Sequence, residues 1–442
     1  MREIGIALLG LGNVGLGTYR ILANHAAEIE RRLGAKVRVR HVLVRDPEKP
    51  SSVAGQERAQ IPGITTDFER ILADPEVAMV VELVGGVEEA RRYCLRAIDS
   101  GRHVVTANKA LLAQHGEELF SRALAKGVDL HFEGAVCGGI PIIRMLREAL
   151  ASDRIEEIYG IVNGTTNLIL SEMSERGTSY EVALRRAQEL GYAEADPALD
   201  VSGMDAAQKL CLLAQLAFMA RLSPSQIAVE GIEGLSPADF TFGKDFGYVL
   251  KLLAIARRLP DGALEARVHP AFVPDSSPLA EVRGGFNAVL LRSAALGPSL
   301  FSGLGAGAMP TGSAVVSDVI DICRNILAGV SGRLPMLCPP YLRDVPLRPI
   351  SSRVGPYYLR FNVADEPGVL GRIAGVLGDR GVSIESVLQR PRKAEAHATI
   401  VVFTHAAREE EVAAAVHWID ALKTTLARTR LIRIEQGPAL AI

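Results

Sequence analysis

Residues 191–209 place four carboxylates, Glu194, Asp196, Asp200 and Asp205, ahead of one lysine, Lys209, where an apolar stretch begins. Asp205 and Lys209 are four apart, so on a helix they share a face and can pair. An amine is protonated at neutral pH unless burial lowers its pKa. Set against apolar residues, it suits polarising a carbonyl and giving up a proton. Neighbouring carboxylates can anchor a substrate ammonium group. Interconversion of an alcohol and a carbonyl needs such a group, together with a carrier for the hydride. By composition alone, the same residues also read as a solvated acidic loop with a helical ion pair.

A hydride carrier has a candidate site at Gly10-Leu11-Gly12-Asn13-Val14-Gly15, between a β-rich run (4–9) and a helical pattern (15–32). Glycines there allow a tight turn and let backbone N–H groups approach a pyrophosphate at the positive end of the helix dipole. A turn kept only for packing would look similar. Arg45 ends the second β-rich run (37–44), with Asp46 and Lys49 close by. A basic residue there can meet a 2′-phosphate and an acidic one a ribose hydroxyl. Arg45 tilts the reading towards NADP, and Asp46 keeps NAD open. Lys109, in Thr106-Ala107-Asn108-Lys109, follows a further strand (102–106) on the sheet edge where ligands bind. It could approach nicotinamide and substrate together, or be a surface charge.

These residues need a scaffold. Strand patterns at 4–9, 37–44, 77–84, 102–106 and 128–132 alternate with helical ones, including 87–100 and 115–126, which indicates a parallel, doubly wound sheet. After a glycine-rich turn (134–139) come a helix at 141–151 and mixed strands and helices to about 300, with helices at 180–190 and 204–221. A second glycine-rich turn, Gly303-Leu304-Gly305-Ala306-Gly307, precedes an apolar helix at 313–328. Prolines and arginines over 333–356 read as a linker. The tail then shows a strand (357–363), a turn at Asp365-Glu366-Pro367-Gly368, a helix (369–380), strands at 382–389 and 396–403, and a helix at 408–424.

A chain of 442 residues has room for two or three domains. With 49 basic and 51 acidic residues, a net charge of −2 offers no electrostatic case for nucleic acid or an anionic membrane. Five scattered cysteines give neither a disulfide framework nor a zinc site. The N-terminus enters a strand without the features of a signal peptide, and the stretch at 210–220 is too short to span a bilayer. A soluble, cytoplasmic protein is expected.

Taken together, the chain resembles bacterial homoserine dehydrogenases with a C-terminal ACT domain. The family signature is matched from Ala187 through Asp196-Pro197, Asp200 and Gly203-Met204-Asp205 to Lys209, and again at Asn163-Gly164-Thr165-Thr166-Asn167, Asn108-Lys109, Gly305-Ala306-Gly307 and Pro310-Thr311. The resemblance covers residues 1 to 330. It implies reversible NAD(P)-dependent oxidation of L-homoserine to L-aspartate 4-semialdehyde, in threonine, methionine and isoleucine biosynthesis. It casts Lys209 as proton donor in reduction, Lys109 beside nicotinamide and substrate, and Asp205, with Glu194, on the substrate amino group or its ordered water. Glu194, Asp200, Asn163 and Thr165 would hold the substrate. Gly10, Gly12, Asn13, Val14, Gly15, Arg45, Lys109 and Gly307 would hold the cofactor. A monovalent cation, usually sodium, is implied at Glu133, Val136, Gly138 and Ile140; from the residues alone, that turn reads as ordinary packing.

The tail resembles an ACT domain through Val363-Ala364-Asp365-Glu366-Pro367-Gly368-Val369-Leu370. That implies an amino-acid effector, L-threonine, at Asp365, Gly368, Val369 and Leu370, and pairing into a homodimer or homotetramer. A pairing module without a ligand is the alternative. The expected domains are a Rossmann domain (1–133, rejoined by about 305–332), an α+β catalytic and dimerisation domain (134–304), a linker (333–356) and a ferredoxin-like ACT domain (357–442). Two rivals remain: another ACT-tailed Rossmann dehydrogenase, such as a phosphoglycerate dehydrogenase, or a nucleotide sensor with a decayed site. The first leaves the Asp-Pro to Lys segment unexplained; the second does not fit intact Lys109, Glu194, Asp205 and Lys209.

Overall fold

The computed structural model describes residues 2–47, 61, 63–333, 337–391, 397–437 and 440, so Lys49 and Ala396 lie outside the described residues. The chain opens with β1 (Glu3–Leu9), α1 (Asn13–Asn24), α2 (Ala26–Leu33), β2 (Lys36–Leu43), β3 (Ile64–Thr65) and β4 (Val77–Glu82). It continues with α3 (Glu88–Asp99), β5 (His103–Thr106), α4 (Lys109–Lys126) and β6 (Leu130–His131). The six strands form a parallel sheet in the order β3-β2-β1-β4-β5-β6. The period of two shows in its packing. Ile4, Ile6 and Leu8 enter one core with Leu16, while Ala7 and Leu9 enter another with Cys94 and Ile98. The helix expected over 15–32 is two helices, because the chain leaves helical geometry at His25 (φ −105°, ψ 15°).

A second sheet follows. Its strands are β7 (Ile155–Ile161), β8 (Tyr248–Arg258), β9 (Leu264–Pro274), β10 (Phe286–Ser293) and β11 (Gly297–Leu304), in the order β11-β10-β7-β8-β9. It carries α5 (Gly164–Arg176) and α6 (Met204–Phe218). The helix expected over 141–151 is a short α turn, Ile142–Arg144, running into a π-helical segment, Met145–Ala149.

The chain then returns to the first domain as α7 (Ala308–Ala328). Val315, Val319 and Ile322 of α7 join the core of Ile6 and Leu8. The α1–α7 crossing is close: a Cβ on Gly17 would lie 2.0 Å from the Ala308 carbonyl oxygen. The helix starts at 308 rather than 313. Gly307 (φ +119°) opens it, and Pro310 falls in its first turn, where its missing N–H breaks no helical hydrogen bond.

The tail comprises β12 (Tyr357–Ala364), α8 (Val369–Asp379), β13 (Ile384–Pro391), β14 (His397–Thr404), α9 (Glu409–Asp420) and β15 (Thr425–Ile434). Its strands run β15-β12-β14-β13. The tail's last strand was not among the expected elements. The arginines of Thr425–Ile434 and its exposed first half hide the alternation that marks a strand. β15 also pairs in parallel with β9, Ala271 against Arg433 and Phe272 against Ile434, so the second sheet runs unbroken into the tail. The stretch ahead of the tail is not a free linker. Leu264 N–H donates to Pro346 and Arg348 N–H to Leu264, while Arg221 and Arg343 bind the backbone of Arg343 and Met219. Among the described residues, no helix is long and apolar enough to cross a membrane, and all five cysteines are buried and free.

Candidate active site

The glycine loop sits on the carboxyl edge of β1. Gly10 (φ +100°) and Gly15 are needed for its tightness: Cβ atoms there would lie 2.5 Å from the Leu83 carbonyl oxygen and 2.2 Å from that of Gly10. Gly12 is different, because a Cβ there would meet nothing within 4 Å, and it is exposed beside Asn13. No side chain caps α1, so its first N–H groups point outward from this loop. The loop opens on a crevice of about 440 Å³ lined by Gly10, Gly12, Leu43, Arg45, Glu89 and Tyr93. This fits a dinucleotide. Arg45 does not stand alone there: its guanidinium lies 3.0 Å from the Glu89 carboxylate, which also accepts from the Tyr93 hydroxyl at 3.0 Å. Those two hold the Glu89 carboxyl below its ordinary range. Gly307, exposed at the head of α7, lies one residue from the Ala308 carbonyl that abuts Gly17.

Lys109 is aimed by a carboxylate the sequence did not single out. Glu82, wholly buried at the end of β4, accepts from the Thr106 hydroxyl at 2.5 Å and from Val84 N–H at 2.9 Å. Burial pushes its carboxyl up, against those hydrogen bonds. Thr106 in turn accepts from Asn108 N–H, and Asn108 caps α4 through Leu111 N–H at 3.0 Å. Lys109, first in that helix, reaches across to Asp205 Oδ1 at 3.0 Å. An acidic residue closing an apolar strand was the available signal for Glu82.

Asp205 is the hub. Its Oδ2 accepts from Lys209 Nζ at 2.7 Å and from Asn163 Nδ2 at 2.8 Å. Lys209 also donates to the Val162 carbonyl at 2.8 Å. Asn163 bridges to Asp200 Oδ1 at 2.7 Å and caps α5 by accepting from Thr166 N–H at 2.8 Å. Burial opposes ionisation of Asp205, but Lys209 and Lys109 outweigh it and hold the carboxyl well below the usual carboxylate range. Burial likewise works against the Lys209 ammonium, and the Asp205 charge overrides it, raising the pKa above the ordinary lysine value. Burial and the Asp205 charge push Asp200 up. A buried cation is thus held charged and tied, through Asp205, to Lys109 on the carboxyl edge of the parallel sheet.

The other expected residues are placed as follows. Thr165 donates its hydroxyl to the Tyr192 carbonyl at 2.8 Å, tethering the acidic loop to the head of α5. Glu194 lies on that loop but is exposed, and its side chain stands outside the cluster. In the 133–140 turn, the Glu133 carboxylate binds the N–H groups of Ile143 and Arg144, each at 2.9 Å, and burial pushes it up to about 7. The Glu133 and Ile140 carbonyls accept from Val136 and Ile142. Those of Val136 and Gly138 accept no backbone hydrogen bond among the described residues. No group of three His, Cys, Asp or Glu side chains among the described residues could hold a metal. In the tail, Asp365, Gly368 (φ +84°) and Leu370 are exposed at the turn, and the Val369 side chain enters the tail's core.

A dinucleotide crevice on a parallel sheet, a buried lysine–carboxylate hub on a second domain, and a βαββαβ tail define an ACT-tailed, nicotinamide-dependent dehydrogenase. Family models agree in detail: "Homoserine dehydrogenase, NAD binding domain" matches residues 10–133, "Homoserine dehydrogenase" 141–320, and "ACT domain" 357–416. The homoserine dehydrogenase of Pseudomonas aeruginosa is 41% identical over 439 residues, 99% of this chain and 100% of that one. That of Bacillus subtilis is 41% identical over 413 residues, 93% of each. A crystal structure of a homoserine dehydrogenase from Thiobacillus denitrificans superposes with a TM-score of 0.91 at 43% identity, covering 98% of this chain and 99% of that one. A hyperthermophilic archaeal homoserine dehydrogenase in complex with NADPH gives a TM-score of 0.60 at 26% identity, covering 72% of this chain and 97% of that one. The chain belongs to the homoserine dehydrogenase family.

Proposed function

We propose that Lys209 is the proton donor and acceptor in the interconversion of L-homoserine and L-aspartate 4-semialdehyde, with Asp205 holding it charged and Lys109 bracing Asp205 from the other side. The supporting observation is the reach of Lys109, from the carboxyl edge of the dinucleotide-binding sheet, to the same Asp205 carboxylate that binds Lys209. NADP or NAD, held by the loop from Gly10 to Gly15 with Asn13 and Val14 and by Gly307, would supply or accept the hydride. Lys209 has one N–H left for the substrate carbonyl, since Asp205 and Val162 engage two of three. Asp200, Asn163 and Thr165 line the same hub, and Glu194 would join only if its loop turned inward on the substrate.

Arg45 supports NADP, and its pairing with Glu89 leaves NAD usable. The backbone carbonyls of Val136 and Gly138 suit a monovalent cation, and Glu133 braces their turn. The exposed turn at Asp365 to Leu370 suits an amino-acid effector, which we take to be L-threonine acting as feedback inhibitor. Five free thiols fit a reducing cytoplasm. Pairing of copies is supported by β11, the last strand of the sheet, which leaves Leu300 and Leu304 well exposed. Steady-state rates with aspartate semialdehyde, using NADPH and NADH, with and without threonine, test these readings. Turnover with both cofactors, faster with NADPH and slowed by threonine, is expected. Rates and tail binding indifferent to saturating threonine would remove the effector assignment.

A further inference from the structure

Asn287, the second residue of β10, is fully buried, and neither Oδ1 nor Nδ2 of its carboxamide has a hydrogen-bond partner of normal geometry. Leaving a buried amide unpaired is costly, so its surroundings matter. It faces the site. Ala288 pairs with Ile161 across the strands, so Asn287 falls beside Val162, whose carbonyl holds Lys209. It shares a face with Val289 and Leu291, which enter the core that contains Val162 and the α6 residue Leu210; Ala288 and Leu290 enter the opposite core. Two glycine backbones pack close to it. A Cβ on Gly305 would lie 2.0 Å from its Nδ2, and one on Gly164 3.6 Å from its Oδ1. The Cys137 thiol, which feels both the Asn287 amide and the Lys209 charge, lies alongside.

We infer that Asn287 is a substrate-binding residue, whose amide, with only the weakly hydrogen-bonding Cys137 thiol alongside, receives the zwitterionic head of the amino-acid substrate. Nδ2 donates to the carboxylate and Oδ1 accepts from the ammonium group, and the far carbon of the substrate is thereby directed at Lys209. Gly305 and Gly164 present backbone and no side chain to the amide. The inference rests on the homoserine dehydrogenase activity, which wild-type turnover checks separately.

The test compares Asn287→Leu and Asn287→Asp with wild type for KM and kcat towards aspartate semialdehyde, for NADPH affinity by fluorescence, and for thermal stability. In Asn287→Leu, KM rises about tenfold or more, while NADPH affinity holds and stability is unchanged or higher. In Asn287→Asp, KM rises further, because a carboxylate there repels that of the substrate. Asn287→Asp, nearly the same shape, carries the test alone if the leucine variant does not fold. A KM unchanged in a folded variant overturns the inference and leaves the amide as a partner for buried water only.

Discussion

In the proposed role of proton donor, Lys209 has a charge state set chiefly by one neighbour, Asp205. Burial works against its charge, and the Asp205 carboxylate overrides that, raising its pKa above the ordinary lysine value. Reduction uses the protonated form and oxidation the neutral one. The rate of reduction is therefore flat from about pH 6 to 9, while that of homoserine oxidation climbs about tenfold per pH unit below the Lys209 pKa. Rate profiles in both directions check this, and a reduction rate falling steeply below pH 8 would contradict it. Arg45 is likewise held by one carboxylate, Glu89. The Glu89→Gln substitution frees the guanidinium and removes a charge that repels a 2′-phosphate. It should shift the ratio of kcat/KM values towards NADP by about fivefold.

At the scale of elements, α1 and α7 decide whether the returning segment sits against the dinucleotide loop. Their crossing has no room for a side chain at Gly17. Gly17→Val should push α7 outward and carry Gly307 with it, weakening NADPH binding about tenfold or more and lowering stability by about 1–3 kcal/mol. Fluorescence titration and thermal melts read both effects. The two glycine loops and the segment from Glu194 to Lys209 stood out in the sequence, because turns at a strand end and a charged run entering an apolar helix are local patterns. Glu82, Glu89 and Asn287 did not. Each matters through a contact far along the chain: Glu82 with Thr106, Glu89 with Arg45, Asn287 with Gly164 and Gly305. No short-range spacing reports such contacts. Glu194 shows the converse: its place in a specific local pattern did not put its side chain in the cluster.

Across the whole molecule, the ACT tail is welded to the catalytic domain. The β9–β15 pairing is backed by a buried Glu435, which lies 3.2 Å from both Arg267 of β9 and Arg353 ahead of β12. Burial opposes its charge, and the two guanidinium groups hold its carboxyl well below the usual range. Its contribution to stability is therefore present above the ordinary glutamate pKa and is lost as pH falls. Glu435→Gln leaves two buried cations under-compensated and should cost about 3–5 kcal/mol, seen as a lower melting temperature at neutral pH with NADPH affinity intact. Parallel strands and a ferredoxin-like tail could be read from alternating patterns. The joining strand could not, because its one buried arginine, Arg433, is accommodated by acids from other parts of the chain, Glu409 and Glu230.

The most direct measurement is kcat for reduction of aspartate semialdehyde by Lys209→Met, with the NADPH dissociation constant taken on the same preparation. A fall of about a thousandfold in kcat, with NADPH bound as in wild type, is the predicted result. A variant that turns over within tenfold of wild type would show that another group delivers the proton.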